Sequence, residues 1–366
     1  MTTTSHDVLI RRNDLSATLV VPGSVGAETE PGEGQILLAL DRFALSANNV
    51  SYAAAGDMLG YWNFFPADDP TYGRVPVWGF AIVLKSRHPG ITEGERIFGF
   101  WPMSTHAVLT PSAVEVGTFA EAGPVRAALH PWYNRYFRCG GDPLYDEARR
   151  DLQPGLWALF MTGWLLDDFL AEHRYFGGEQ VVVASASSKT AYSFASSASR
   201  SSDHEVAVVG LTSAGNRSFV ADLGVYDQII TYDDLASLRS DRRTVFIDIA
   251  GNASVRLAVH ERYGDDLVHS CLVGGTHQGA GATDAALPGP APQFFFVPDH
   301  SEGRAAEWGR DEFTSRFVAA WRPFVEDAST RLQIDCRQGV ESIESAYLDV
   351  LTGKVGPQTS VLVALG

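Results

Sequence analysis

Between Gln180 and Val297 short and nearly unbroken apolar runs alternate with helical spacers. The runs are Gln180-Val-Val-Val-Ala, Val206-Ala-Val-Val-Gly, Gln228-Ile-Ile-Thr, Thr244-Val-Phe-Ile-Asp-Ile, Asp266-Leu-Val-His-Ser-Cys-Leu-Val-Gly-Gly and Gln293-Phe-Phe-Phe-Val. A strand with one wet face alternates polar and apolar side chains, and most of these do not. They need cover on both faces, which parallel βαβ units supply.

The rest of the chain has another texture. From Val8 to about Ser112, short apolar runs are broken by Gly, Pro and Asp, the rhythm of a β-rich domain. His88-Pro-Gly and Thr92-Glu-Gly predict a hairpin or tight connection. Asn48 to Asp69 reads as an aromatic loop carrying Tyr52, Tyr61, Trp62, Phe64 and Phe65. The apolar spacing after Pro154-Gly155 predicts a helix to about Phe176, and Trp308, Phe313, Phe317, Trp321 and Phe324 predict another amphipathic helix. The final Thr359-Ser-Val-Leu-Val-Ala-Leu reads as a strand. At ~100–200 residues per domain, 366 residues suggest two domains.

Composition removes several function classes. With 44 acidic against 28 basic residues, net charge -16 and no basic cluster, the chain would repel a nucleic-acid backbone. Three cysteines without a CxxC build neither a disulfide framework nor a four-cysteine zinc site, and so predict a reducing, cytoplasmic setting. The apolar stretch Leu156 to Leu166 is well short of the ~20 residues that span a bilayer, so no membrane partner is expected. No metal is expected either: the ten histidines are scattered and HExxH is absent. A GxSxG elbow and the kinase signatures are missing too.

In an open parallel sheet, ligands bind beyond the strand C-termini, where helix N-termini attract anions. The first such turn is Ala184-Ser-Ala-Ser-Ser-Lys-Thr, where Ser185, Ser187, Ser188 and Thr190 offer hydroxyls and Lys189 a charge for a pyrophosphate. A serine-rich helix cap with a solvated lysine is the competing reading. The glycines that a P-loop requires before Lys-Thr are absent, which leaves an ATPase without support. After the second run, Thr212, Ser213, Asn216 and Arg217 occupy a turn that lacks the acid expected to receive a ribose 2′-hydroxyl. Donors and a guanidinium there favour a 2′-phosphate, hence NADP over NAD, although a polar loop at a helix start would look the same. Ala250-Gly251 and Gly274-Gly275 end two further runs with residues small enough to admit a flat ring, or to form plain turns.

Together with Gly94-Glu-Arg-Ile-Phe-Gly-Phe, Leu223-Gly-Val-Tyr-Asp-Gln-Ile-Ile-Thr-Tyr and the strand Thr244 to Gly251, these features give a resemblance over nearly the whole chain. The chain resembles the zinc-independent medium-chain dehydrogenase/reductases of the quinone and enone reductase type. Pro76-Val-Trp-Gly-Phe-Ala stands where that family has Pro-x-x-Gly-His-Glu, and Phe80 and Ala81 speak against catalytic zinc. Ser187-Ser-Lys-Thr replaces Gly-Gly-Val-Gly, which shifts phosphate binding toward side chains and marks a divergent branch.

The resemblance implies an α/β fold, a Rossmann-type doubly wound parallel sheet plus a β-rich GroES-like domain. Residues 1–150 and 331–366 would form the GroES-like substrate domain and 151–330 the dinucleotide-binding domain. Tyr232 would lie near the adenosine end of NADP. Tyr52, with Asn48 or Asn49, would stand near the nicotinamide and stabilise charge on a substrate carbonyl oxygen. Tyr61, Trp62, Phe65 and Trp78 would form a slot for a flat substrate, or simply be core. The implied activity is NADPH-dependent, metal-independent reduction of conjugated carbonyls or quinones. The alternatives are a non-catalytic NADP-binding or redox-sensing protein, and a scaffold that no longer binds nucleotide. Such reductases also imply a homodimer joined at edge strands, for which Gln293-Phe-Phe-Phe-Val is the most apolar candidate.

Overall fold

The structure, a computed structural model, describes residues 5–200, 206–273 and 287–366. Two compact units result, one running to Gly155 and rejoined by Leu332–Gly366, the other Leu156–Arg331.

The first unit is built on a nine-stranded sheet in which Pro76–Ser86 pairs antiparallel with both Ile36–Leu45 and Arg96–Pro102. The reversal at residues 87–95 is where the Pro-Gly and Glu-Gly signals fall, with Gly94 at φ +86°. Thr359–Ala364 adds an antiparallel strand to Ile36–Leu45 and a parallel one to Gln333–Gln338. Alternation gives the central hairpin two apolar faces. Val77, Ala81, Ile97 and Trp101 enter the main core, while Trp78 and Phe80 sit opposite Phe100 and Phe98 on the other side. A helix, α1 (Ala47–Ala54), occupies the start of the segment expected to be loop. Ser46 caps it: the Ser46 side chain accepts from Asn48 N–H, and Asn49 Oδ1 accepts from Ser46 N–H at 2.8 Å. This reciprocal cap satisfies amide groups that an eight-residue helix cannot satisfy internally.

The second unit holds the parallel sheet. Its strands are β1 (Gln180–Val183), β2 (Ala207–Thr212), β3 (Gln228–Thr231), β4 (Thr244–Asp248), β5 (Leu267–Leu272) and β6 (Gln293–Phe294). Their spatial order is β3-β2-β1-β4-β5-β6, all parallel. The chain therefore starts in the middle of the sheet and winds outward both ways, which places a switch point beside β1. Val182, Val209, Leu211 and Phe246 lie in the core, which accounts for the uninterrupted apolar runs.

Helix α2 (Gln153–Glu172) carries the predicted periodic face but stops before Phe176, because Arg174, Tyr175 and Phe176 all take positive φ. The strand expected over Gln293–Val297 pairs only at Gln293 and Phe294, since Val297-Pro298 begins a helix that places proline in its first turn. The single late helix is two, Val297–Trp308 and Arg310–Arg331, separated by Gly309 at φ +87°. Phe317, Trp321 and Phe324 of the second line one face and pack on Phe160 of α2, with centroids 5.6, 5.5 and 4.5 Å away. Among the described residues no helix is long and apolar enough to cross a membrane.

Candidate functional site

The turn after β1 leads into α3 (Lys189–Ala198), whose first turn is capped by the Ser188 hydroxyl accepting from Ala191 N–H. Ser185 stands at φ +57°, a region that glycine enters freely and serine only at some cost. The turn of a glycine-rich loop is thus formed without the glycine. Three side chains brace it: Tyr232 Oη accepts from Ser185 N–H at 2.8 Å, Tyr226 Oη donates to Ala186 O at 2.8 Å, and Asn216 Nδ2 donates to Ser187 Oγ at 3.1 Å. A Cβ at Gly210 of β2 would lie 2.9 Å from the Ala186 Cβ, so the bare glycine lets the loop approach.

Among the described residues the amide N–H groups of Ser187 and Thr190 and the Thr190 hydroxyl have no hydrogen-bond partner. Two open amides at the start of a ten-residue helix are the donors that an anion would take. Partly buried Lys189 belongs to the same turn, and burial lowers its ammonium to about 8. An arriving phosphate would restore the charged form.

After β2, Ser213 and Arg217 are exposed, and Arg217 has no ion pair among the described residues. Thr212 differs: it is buried, with its Oγ1 unpartnered. Tyr232, expected near the adenosine end of the cofactor, lies against the turn after β1 through the Ser185 bond. The turn Ala250-Gly251 is closed internally, with Gly251 N–H donating to Asp248 Oδ1 at 2.8 Å. Gly274 and Gly275 lie outside the described residues. The donor set fits a dinucleotide phosphate: open amides, hydroxyls and a lysine, with no carboxylate on the 184–190 turn.

In the first unit, α1 presents Tyr52, 5% exposed, to a cluster of rings. Its centroid lies 4.6 Å from Tyr61, 5.4 Å from Phe100 and 6.3 Å from Tyr133. Two N–H groups donate to Tyr52 Oη, Asn48 Nδ2 at 2.8 Å and Trp78 Nε1 at 3.2 Å. Both occupy its lone pairs and leave its own proton to be donated. Burial raises the phenol well above the ordinary tyrosine value, with Tyr61 adding to the effect and the two N–H donors opposing it. Tyr52 is therefore a neutral hydrogen-bond donor across the physiological range.

The two asparagines divide their roles. Asn48 holds Tyr52, one helical turn on, whereas Asn49 is committed at both ends, to the Ser46 cap and, through Nδ2, to Pro76 O at 2.9 Å. Tyr61 shares a hydrogen bond with Tyr133, Oη to Oη 2.7 Å. Phe65 is half-buried and Trp78 stacks on Phe98. Phe100, Tyr133 and Trp132, which were not among the residues expected to line the slot, complete the cluster.

Trp62 is placed elsewhere. It belongs to the main core, clamped by Gly56 and Gly73, because an indole lying across two strand-and-turn backbones leaves no room for a side chain there. A Cβ at Gly73 would stand 2.2 Å from Trp62 Cε3. Gly73→Ala is expected to destabilise the protein by about 1–3 kcal/mol through overpacking, measured as a lower urea midpoint at unchanged slope.

The fold matches solved structures over essentially its full length. CurA from Vibrio vulnificus in complex with NADPH aligns with TM-score 0.60 at 16% identity, covering 99% of each chain. The yhdH oxidoreductase from Salmonella enterica in complex with NADP aligns with TM-score 0.55 at 14% identity, over 99% of this chain and 100% of that one. A mutant form of enoyl thioester reductase from Candida tropicalis aligns with TM-score 0.60 at 10% identity, again over 99% and 100%. At these identities the likeness establishes the fold, a Rossmann-type sheet joined to a β-rich domain. No curated protein matches the chain by sequence. A family profile described as "Protein of unknown function (DUF2855)" matches residues 43–356, most of the chain, and the protein is accordingly a member of that family.

Proposed function

We propose that the protein is an NADPH-dependent, metal-independent reductase of conjugated carbonyls or quinones. The observation that carries this reading is Tyr52: a buried phenol whose oxygen receives two N–H bonds and whose proton is left to donate. NADP-bound structures among the fold's relatives support the cofactor assignment. Residues 1–150 and 331–366 take the substrate role, and 151–330 hold the nucleotide. Ser187, Ser188, Lys189 and Thr190 would receive the pyrophosphate, and Ser213, Asn216 and Arg217 the 2′-phosphate. When bound, NADPH supplies the hydride. Tyr52 donates its hydrogen bond to the substrate oxygen as negative charge grows there, and so favours the transition state over the ground state. Asn48 and Trp78 fix the phenol, and the surrounding rings exclude water and suit a flat, apolar substrate.

The test is a titration of the purified protein with NADPH and NADH by nucleotide fluorescence and thermal shift, followed by turnover on enones, quinones and aldehydes. Preferential NADPH binding with turnover is expected; no binding of either nucleotide overturns the reading. Arg217→Ala is expected to weaken NADPH by about tenfold and leave NADH unchanged, a loss of 1.4 kcal/mol. Equal effects on both nucleotides would remove Arg217 from the 2′-phosphate site.

Lys189 gives NADPH affinity a pH dependence with a definite sign. Phosphate favours the charged amine, so affinity is full below the free-protein value of about 8 and declines as pH rises through it. Lys189→Met should abolish that decline, seen as a flat Kd profile between neutral and alkaline pH.

A second reading, a non-catalytic NADP-binding protein, draws on one observation: Ser185 N–H already donates to Tyr232 and is unavailable to phosphate. Tight NADPH binding without turnover on the whole panel would favour it. The exposed Phe294 on edge strand β6 supports a homodimer formed by strand pairing, for which light scattering should return twice the chain mass.

A further inference from the structure

The first unit contains a cavity whose wall includes Phe65 but not Tyr52, Tyr61 or Trp78. About 280 Å³ in volume, it is walled by Phe64, Phe65, Pro102, Leu109 and Val125 together with four charged residues, Asp7, Arg74, Glu121 and Arg126. The size sits at the small end of ligand pockets and suits a molecule of one or two rings.

The charges in its wall are already answered. Arg74 Nη2 donates to Asp7 Oδ2 at 2.6 Å. Glu121 accepts from Thr110 N–H at 2.6 Å and from Gly123 N–H at 2.7 Å. Arg126 is 5% exposed and donates to Asn134 Oδ1, Tyr133 O and Tyr136 Oη at 2.7, 2.9 and 3.3 Å. Its guanidinium also lies 4.7 and 5.0 Å from the ring centres of Phe65 and Phe64. Two cations and two acids cancel, so an ionic ligand would enter without a counter-charge and lose its hydration.

Two neutral polar groups on the same wall remain unanswered. Ser104 is 1% exposed and its Oγ has no partner. His106 is 5% exposed; its Nδ1 is shared with Thr105 Oγ1 at 2.9 Å, while Nε2 makes no hydrogen bond. Burial holds the imidazole below its ordinary value and therefore neutral, able to give or take one hydrogen bond at Nε2 according to tautomer. Ser104 Oγ is a buried polar atom without a partner and calls for one, and His106 Nε2 offers a second hydrogen bond on the same wall. A hydroxyl, which both donates and accepts, satisfies this pair where a purely apolar molecule cannot.

We propose that this cavity is a binding site for an uncharged cyclic alcohol or phenol, held by His106 and Ser104 with its ring against Phe65. The proposal does not rest on the reductase reading. Its probes are phenol, 2-naphthol and cyclohexanol, set against benzoate and benzylammonium, with binding to the full chain followed by saturation-transfer NMR without nucleotide. The neutral probes should bind and the charged ones should be weaker by at least about tenfold, or 1.4 kcal/mol. Val125→Trp, a change at a half-exposed position on the wall, and His106→Phe should each weaken 2-naphthol by a similar factor. Tyr52→Phe should leave binding unchanged, which separates this cavity from the ring cluster around Tyr52. A cavity that holds only water would bind no probe, and that result overturns the proposal. So would equal binding of benzoate, or 2-naphthol binding that neither wall substitution alters.

Discussion

Tyr52→Phe is expected to lower kcat for carbonyl reduction by about 10²–10³-fold, the usual effect of removing one preorganised donor from a developing oxyanion, while the Kd for NADPH stays unchanged. The substitution keeps the ring and its contacts with Tyr61 and Phe100 but removes the acceptor of two N–H groups. Leaving Asn48 Nδ2 and Trp78 Nε1 without that acceptor should also cost about 1–3 kcal/mol of stability. The two consequences separate experimentally. Asn48→Ala and Trp78→Phe each remove one donor and keep the phenol, so they should reproduce part of the stability loss with a far smaller drop in kcat. If all three variants lower kcat equally, Tyr52 is a packing residue and the donor assignment fails. The raised phenol value adds a pH test. At saturating NADPH, kcat should persist through the range where an ordinary tyrosine ionises, because burial holds this one protonated. An alkaline fall centred on the ordinary tyrosine value would contradict the buried donor.

What could be read from the chain alone follows from how local each signal is. The parallel strands were legible because burial on both faces leaves a continuous apolar run, and β1 to β5 lie within or beside the predicted segments. Helix α1 was not legible. Its Ala47-Asn-Asn-Val-Ser-Tyr has several weak helix formers, and its stability comes from the Ser46/Asn49 cap and the Asn49 bond to Pro76 O, a partner distant in sequence. The Gly309 break was visible as a residue but hidden by an aromatic spacing that continues across it. In the turn after β1 the sequence argued against a backbone cradle, since serine avoids left-handed backbone. The fold holds Ser185 there through the Tyr232 bond and the space above Gly210. Trp62 was left between slot and core, and it lies in the core, because composition cannot tell which side of a chain an aromatic faces. Phe100 and Tyr133 were overlooked for the converse reason: Phe100 alternates correctly with Phe98, but only pairing with Trp78 brings it to Tyr52.

The largest stability effect should come from Arg256→Met. Arg256 of the helix Ala253–Tyr263 is 1% exposed and donates from Nη1 to Oδ2 of Asp248, which is wholly buried at the end of β4, at 2.9 Å. Burial pushes the Asp248 carboxyl above its ordinary range even though Gly251 N–H and Arg256 both favour the ionised form. Desolvation therefore outweighs the pairing already, and the carboxylate depends on every partner it has. Removing the guanidinium should cost about 3–5 kcal/mol, the range for a buried pair broken on one side. The damage should reach the turn after β4 as well as the core, because the same carboxylate accepts from Gly251 N–H. Two measurements check this account. Urea unfolding of Arg256→Met should show the loss at pH 7 and a smaller loss at acidic pH, where the stranded carboxyl takes up a proton. Asp248→Leu combined with Arg256→Met, apolar and of similar volume, should recover part of the stability, short of what the Gly251 N–H loses with its acceptor. A single variant within about 1 kcal/mol of the parent would mean that water or backbone rearrangement replaces the guanidinium, and that the pair does not hold this end of the sheet.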